Sequence, residues 1–413
     1  MVRFLYHKTA RVLYVLYYVY LPSYPRRLIS PLVKGTIFVI RNFNTFLSLL
    51  RMEVYIISGK YRGFNLKILF IGQHSRLSYV IQLSCLDSVD IERKGKINFW
   101  KVPDEIACFR RNTDLIIVET GWFFAKKAQR QGLLLIPEWI RFSVKTPDSV
   151  ETIVREAGSS LRSDFRRIRK YGYYFETIRD EEMLKFFYHR MYIPYISKRH
   201  YKLLYTHKIS IMEKCLRNGM LLFVKKEDET MGGCFLEFRD KKLRSLWLGI
   251  KDGKDEYLKN GVVGAIYYFT IKWAIKEGFT TIDFGRTRPF FNDGIFRYKK
   301  KWGTILEEDE TNTIFYGIGV SRFSKGVRAF LEDHPFLFQK DKKLEGFVFV
   351  KNLSKEDYID YILKNFWTDG LSGINIFDFN CSDEKFKKDI ESKYQDLRFV
   401  DKDFVAVRHC FAN

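Results

Sequence analysis

The sequence predicts an α/β protein with a mixed sheet, organised as two lobes and a small C-terminal α/β extension. Three observations carry this prediction. A chain of 413 residues exceeds the length at which one hydrophobic core usually stops growing. Short runs of β-branched and aromatic residues, bounded by Gly, Asn and Asp, alternate with longer segments of helical periodicity. Beyond Gly219, three strand-like runs joined by short acidic turns lead into a helix and then a further strand, the pattern of an antiparallel meander extended by a crossover. Hydrophobic residues at 46% and aromatics at 17% supply the core and exclude a chain dominated by disorder.

Residues 1–51 read as basic and aromatic amphipathic helices. The apolar run Val12–Leu21 is shorter than the ~20 residues a helix needs to cross a bilayer. It ends in Pro22, Tyr24, Pro25 and two arginines, which argues against a signal peptide. The next segment, LVKGTIFVIRNFNTFLSLLRM, mixes Phe, Leu and Ile with Lys34, Arg41 and Arg51. Two such helices suit either the cytoplasmic face of an anionic membrane or the protein's own core.

From 52 to 150, the runs EVYIIS, LKILFIG, KINFWKV, TDLIIVET and GLLLIPEWIRFSV predict strands, with a helix at HSRLSYVIQLSC. After Pro147, SVETIVREAGSSLRSDFRRIRKYGY predicts a helix whose apolar face carries Val150, Ile153, Leu161, Phe165 and Ile168. Its other face, with Arg162, Arg166, Arg167, Arg169 and Lys170, suits a phosphate or an RNA backbone, or is merely solvated. YYFETIRD predicts a strand and EEMLKFFYHRMYIPYISKRHY a helix. GMLLFVKKED, TMGGCFLEFRD and KLRSLWLGIKD form the meander, GVVGAIYYFTIKWAIKEG the crossover helix, and TTIDFG the strand it delivers. Beyond Lys340, LEGFVFVKN, SKEDYIDYILKNF, SGINIFDFN, SDEKFKKDIESKY and FVAVRH alternate strand and helix, with Ser354 and Ser382 as N-caps.

Lysines and arginines number 71 against 49 acids, a net charge of +22. That field favours anionic partners: nucleic acid, phosphorylated carriers or an anionic membrane surface. Six dispersed cysteines without a C-x-x-C pair, and seven scattered histidines, lack the spacing of a metal site. No metal is expected, and a reduced, cytoplasmic compartment fits best.

The stretch DFGRTRPFFNDGIFRYKKKWG, Asp283 to Gly303, begins with the triplet of a protein kinase. A kinase also needs a Gly-rich loop, a strand lysine and an H-R-D loop, and the sequence has none of this combination. On its residues, Gly285 and the following turn let the backbone approach a ligand, Arg286, Arg288 and Lys299 suit an anion, and Tyr298 offers a hydroxyl. The alternative is a basic loop with a core tryptophan, Trp302.

Together, IPEWIRFSV, SSLRSDFRRIRKYGYYFE, GAIYYFTIKWAIKEGF, TIDFGRTRP and GIFRYKKKWG resemble the GNAT superfamily of acyltransferases. The resemblance is to the branch shared by Fem-type peptidyltransferases and BioF2-like acetyltransferases. It implies tandem GNAT-like lobes at 52–150 and 151–340, the second being the acyltransferase lobe, and an extension at 341–413. It also implies transfer of an acetyl or aminoacyl group from acetyl-CoA, another acyl-CoA or aminoacyl-tRNA to an amine, on a cell-envelope or lipid-linked acceptor. Direct attack needs no covalent intermediate.

On this resemblance the strands TMGGCFLEF, LRSLWLGI and TTIDFG should splay around the cleft. Glu237 and Asp283 are the candidate bases and Tyr298 the candidate acid, while Arg166, Arg167, Arg286, Arg288, Lys299 and Trp302 line the substrate. A cap for the turn holding Arg286 is the structural alternative for Asp283. The family's pyrophosphate loop, at a helix N-terminus, falls on Lys259, Gly261, Val262, Gly264 and Ala265, with valine where a second small residue is usual. Aminoacyl-tRNA as donor would account for the net charge. The second reading is a catalytically silent GNAT-like module that binds nucleic acid or an anionic membrane, with the protein peripheral on the cytoplasmic face.

Overall fold

The computed structural model describes residues 23–199, 207–351, 354, 356–381 and 383–407. Expectations for residues 1–22 and for Ser382 lie outside the described residues. The chain is a mixed α/β fold. It enters through the helix Ser23–Leu49 and passes through β1 (Met52–Tyr61), β2 (Phe64–Gly72), β3 (Asp87–Ile97), β4 (Leu115–Gly121) and β5 (Leu134–Pro137). Next come β6 (Ile140–Lys145), β7 (Tyr174–Ile178), β8 (Gly219–Lys226), β9 (Glu229–Arg239), β10 (Lys242–Ile250), β11 (Thr281–Thr287) and β12 (Ile305–Glu308). β13 (Ile314–Val320), β14 (Phe336–Lys340), β15 (Lys343–Val350), β16 (Ile374–Asp378) and β17 (Leu397–Phe399) complete the strands.

Ten strands form one sheet, in the order β17-β16-β15-β14-β5-β13-β4-β2-β1-β3, and seven form the other, β12-β6-β11-β10-β9-β8-β7. The chain thus changes sheet twice. GLLLIPEWIRFSV, expected as one strand, is two, with β5 in the larger sheet and β6 in the smaller. After β12 the chain returns, inserting β13 between β5 and β4, and β14 to β17 continue that same sheet.

The expected meander holds: β8, β9 and β10 pair antiparallel, and the crossover helix Val262–Lys276 sets β11 parallel to β10. Ile266, Phe269 and Trp273 of that helix pack on Leu222, Leu236, Leu243 and Ile282, each fully buried side chain contributing roughly 1.5–3 kcal/mol. A second core joins the two sheets, with Ile140, Phe142 and Leu306 against Leu337, Leu344, Val348 and Ile374.

Three further expected elements differ. Only Lys96 and Ile97 of KINFWKV are strand, as the end of β3; beyond Ile97 the chain makes a 3-10 turn at Phe99–Lys101 and a helix at Val102–Phe109. Pro103, Asp104 and Glu105 favour that helix start, because proline costs nothing where the N–H has no partner and acids complement the dipole. The helix expected across 149–171 is two, Val150–Glu156 and Ser159–Tyr171, parted where Ala157 is extended. In FVAVRH the described residues form no strand: Phe404 closes a 3-10 turn, Lys402–Phe404, Ala406 makes a single bridge to Val320, and β17 is the last strand among the described residues. Ser354 Oγ accepts from the Asp357 N–H at 3.3 Å, one turn ahead of the helix Tyr358–Phe366.

The turn after that helix grips the smaller sheet. The Leu306 N–H donates to the Asp369 carbonyl at 2.7 Å, and Gly370, at φ +93, faces the Leu306 carbonyl oxygen so closely that a Cβ would overlap it. Gly370→Ala should therefore destabilise the protein by about 2 kcal/mol or more through overlap and a strained φ. Urea denaturation checks this; an unchanged midpoint would refute it.

Candidate active site

Seven side chains form an alternating row of charge, six on the neighbouring strands β9, β10, β11 and β6 and one, Asp309, just after β12. Arg239 Nε donates to Glu237 Oε2 at 2.9 Å, and Arg244 Nη1 donates to the same oxygen at 2.6 Å. Arg244 Nε reaches Asp283 Oδ2 at 3.3 Å, and Arg141 Nη1 donates to that oxygen at 2.6 Å. Arg141 Nη2 lies 3.5 Å from Asp309 Oδ2, which also accepts from Arg286. Sheet register builds the row: Arg244 stands opposite both Glu237 and Asp283, and Arg286 opposite Arg141.

All three acids are buried, while Arg286 at the end of the row is 41% exposed at its side chain. Burial alone would push the three carboxyls up. Instead Arg239 and Arg244 hold Glu237 below its ordinary pKa, Arg141 and Arg244 do so for Asp283, and Arg286 and Arg141 for Asp309. The carboxylates are ionised at neutral pH and weakly basic. Asp283 also fills the capping role, because its Oδ1 accepts the Gly285 N–H at 2.8 Å.

The strands part beside this row. β10 pairs with β11 only over Lys242–Arg244 and Thr281–Asp283, although both run on. β10 follows β9 through a bulge between Leu246 and Gly249, with Trp247 at φ +47. β11 follows β6 and bulges between Asp283 and Arg286, where Gly285 takes φ +77. Lys299, expected against substrate, is buried here. Its Nζ donates to the carbonyls of Gly285 at 3.0 Å and Arg286 at 2.7 Å, and burial lowers its pKa to about 7.

Alternation along β11 separates the candidate bases from the candidate acid. Ile282 and Phe284 face the crossover helix, with Phe284 stacked on Tyr267 at 4.5 Å, and Asp283 faces the other way. Tyr298 is on the helix side, its ring 5.3 Å from Tyr267 and its hydroxyl 3.4 Å from Asp164 Oδ2. Burial, then Asp164, raises its pKa well above the ordinary value, so Tyr298 holds its proton. Trp302 is buried against Tyr267 and Phe165.

The N-terminus of the crossover helix is covered. A Cβ on Gly261, at φ +87, would lie 3.0 Å from Arg167 Cδ, and one on Gly264 would lie 2.9 Å from Asp164 Cγ. Tyr171 of the same basic helix donates to Asn260 Oδ1 at 2.9 Å. Val262 and Ala265 are fully buried, while Lys259 and Arg166 are exposed. A carboxylate, Asp164, thus sits beside the helix N-terminus that would hold a pyrophosphate, paired with Lys301 and Arg167. These residues do not fit a coenzyme A pyrophosphate in this arrangement.

The expected residues therefore fall into two clusters: Arg167, Gly261, Gly264, Tyr298 and Trp302 on the helix side, and Glu237, Asp283 and Arg286 in the row. Arg288 joins neither, lying 5.3 Å over the ring of Tyr79. Arg141, Arg239, Arg244, Asp309 and Asp164 complete the clusters, and sequence reasoning singled out none of them. For Arg141 and Arg244 the trace in the sequence is charge inside otherwise apolar runs, IPEWIRFSV and LRSLWLGI. A surface depression of about 600 Å³ at the β8–β9 turn, lined by Phe186, Glu229 and Lys251 among others, includes none of these residues.

No family model and no curated protein matches the sequence. Among solved structures, FemX is 14% identical with a TM-score of 0.35, over 67% of this chain and 90% of that one. L-PGS from Bacillus licheniformis is 13% identical with a TM-score of 0.32, over 70% of this chain and 89% of that one. A GCN5-related N-acetyltransferase from Kribbella flavida is 10% identical with a TM-score of 0.26, over 84% and 76%. These likenesses are weak.

Asp283→Asn should cost roughly 3 kcal/mol or more in urea denaturation, because it leaves Arg141 and Arg244 buried without their shared charge. The lowered carboxyls contribute fully above their unfolded values, and that contribution is lost as pH falls through their folded values. Asp283→Asn should shrink this acid-dependent loss. An unchanged acid profile would refute the row's role in stability. Lys299 titrates near 7 when folded and near 10.5 when unfolded, so the unfolded chain binds more protons across that window and stability rises with pH. Lys299→Met should remove that rise; equal slopes in both proteins would count against it.

Proposed function

We propose that this protein is an N-acyltransferase that moves an acetyl or aminoacyl group onto an amine, with the donor threaded between β10 and β11. The observation that carries this reading is the three-residue pairing of those strands, which ends beside a row of buried charge. Backbone groups of β10 without a partner in β11 polarise the donor carbonyl, a fixed electrostatic contribution that needs no reorganisation. The amine attacks the carbonyl carbon from the side of the row. As the new C–N bond forms, the bond to the leaving ester oxygen breaks. The amine's proton departs through Glu237 or Asp283, directly or by way of water, and Tyr298 supplies a proton to the leaving atom. The placement of acid and base on opposite faces of β11 suits a donor that passes through the gap. Arg286, at the exposed end of the row, holds an anionic group of the substrate.

Asp164 at the crossover helix and the net charge of +22 favour aminoacyl-tRNA over acyl-CoA as donor. The acceptor, following the family resemblance of the sequence, is an amine on a cell-envelope or lipid-linked molecule. Incubation with labelled acyl-CoA and with charged tRNA, against a panel of amines, tests this. Transfer from charged tRNA is expected, with kcat reduced about 100-fold by Asp283→Asn or Glu237→Gln and about tenfold or more by Tyr298→Phe. Transfer from neither donor would overturn the reading. Full arginine pairing of both carboxylates favours a second reading, a silent module that binds nucleic acid. It predicts steeply salt-dependent tRNA binding unaltered by Glu237→Gln and Asp283→Asn.

A further inference from the structure

The helix Ser23–Leu49 is fixed to the larger sheet by its C-terminal part. Asn44, Thr45 and Leu49 are buried, and Thr45 Oγ1 bonds Thr313 Oγ1 at 2.9 Å. Its other face brings Phe38 and Phe43 to the surface beside aromatics from two distant segments. Phe38 meets Trp122 at 6.0 Å, and Phe46 meets Phe123 at 6.0 Å. Trp100 packs edge-on to Phe124 at 5.1 Å, beneath the Lys127 ammonium at 5.8 Å. Despite these contacts Trp100 is 54% exposed, Trp122 52% and Phe123 56%. Three chain segments thus place large apolar rings in water on one surface, an arrangement that single scattered exposures do not produce.

Charge identifies the partner. The segments 38–51, 99–111 and 122–130 carry eight Lys or Arg and two acids, Asp104 and Glu105. Aromatic rings that seek the headgroup layer, carried on segments rich in cations that anionic lipid attracts, are the chemistry of an interfacial membrane contact. Among the described residues no helix is long and apolar enough to cross a membrane, so the contact is with the surface of a bilayer. We infer that the face formed by Phe38, Phe43, Trp100, Trp122 and Phe123 docks this protein on an anionic lipid bilayer. The surface extends beyond the helix Ser23–Leu49, since Trp100, Trp122 and Phe123 come from the body of the fold, and the inference stands independently of acyl transfer.

The test is co-sedimentation of the full chain with vesicles of phosphatidylcholine alone and with about one-third phosphatidylglycerol. Binding to the anionic vesicles is expected, weakening as salt rises. Trp122→Ser with Phe123→Ser should lower the partition coefficient about tenfold or more, and Lys126→Glu with Lys127→Glu should abolish the preference for phosphatidylglycerol. Phe379→Ser, at a separate exposed ring, should change nothing. Trp122, Phe123 and Lys126 are exposed and Lys127 is half-buried, and unchanged circular dichroism will show that the variants fold. Absence of binding to anionic vesicles, or binding that survives Trp122→Ser with Phe123→Ser, would overturn the inference. So would a concentration-dependent dimer that these substitutions dissolve, or tRNA retention that they weaken while vesicle binding persists.

Discussion

One carboxylate ties the smaller sheet together. Asp283 Oδ2 takes Arg141 from the strand on one side and Arg244 from the strand on the other, and its Oδ1 takes the Gly285 N–H. A buried charge of this kind is tolerable only with its partners in place. It therefore binds the register of β6, β11 and β10 to a single side chain, since a slip of one residue would send the row's members to opposite faces. The bulge at Gly285 follows from the same constraint. It turns two carbonyls inward, and Lys299 is buried to meet them.

The row also depends on the connection between the sheets. Asp309, its terminal acid, lies just after β12, where the chain leaves the smaller sheet for β13 in the larger. Thr311, in the same connection, donates to Asp309 from both its N–H and its hydroxyl. Charge placement in one sheet thus rests on the path that returns to the other. The shared apolar core of Phe142, Leu306, Leu344 and Ile374 holds that path in place. On the opposite face the crossover helix is clamped by Asp164 and Arg167, which reach it only because Gly261 and Gly264 have no side chains in the way.

Much of the fold is legible in the sequence because it is local. Period-two runs, acidic turns and the apolar crossover segment specify β8 to β11 through side-chain alternation and helical spacing alone. The break at Ala157 and the helix start at Pro103 are less visible, since each is a competition between neighbouring preferences that a few residues decide. Of the site, Glu237, Asp283, Arg286 and Tyr298 are visible as chemistry in a motif-bearing region. Their arginine partners are not, because Arg141 precedes Asp283 by 142 residues in the chain and becomes its neighbour only across a sheet.

By itself the sequence determined the mixed α/β class, the meander and its crossover, the strong positive charge, and the clustering of aromatic and basic residues near the N-terminus. These are sums over composition and short-range periodicity, which do not require knowing what lies far away in the chain. Tertiary structure alone decided that β5 and β6 part to different sheets, that the last strands rejoin the first, and that both candidate bases are locked to arginines. It alone decided that a lysine and a tryptophan from a basic motif are buried, and that rings from three segments share one exposed face. Each of these depends on long-range register and on the balance between desolvation and pairing, terms that exist only once distant strands are side by side.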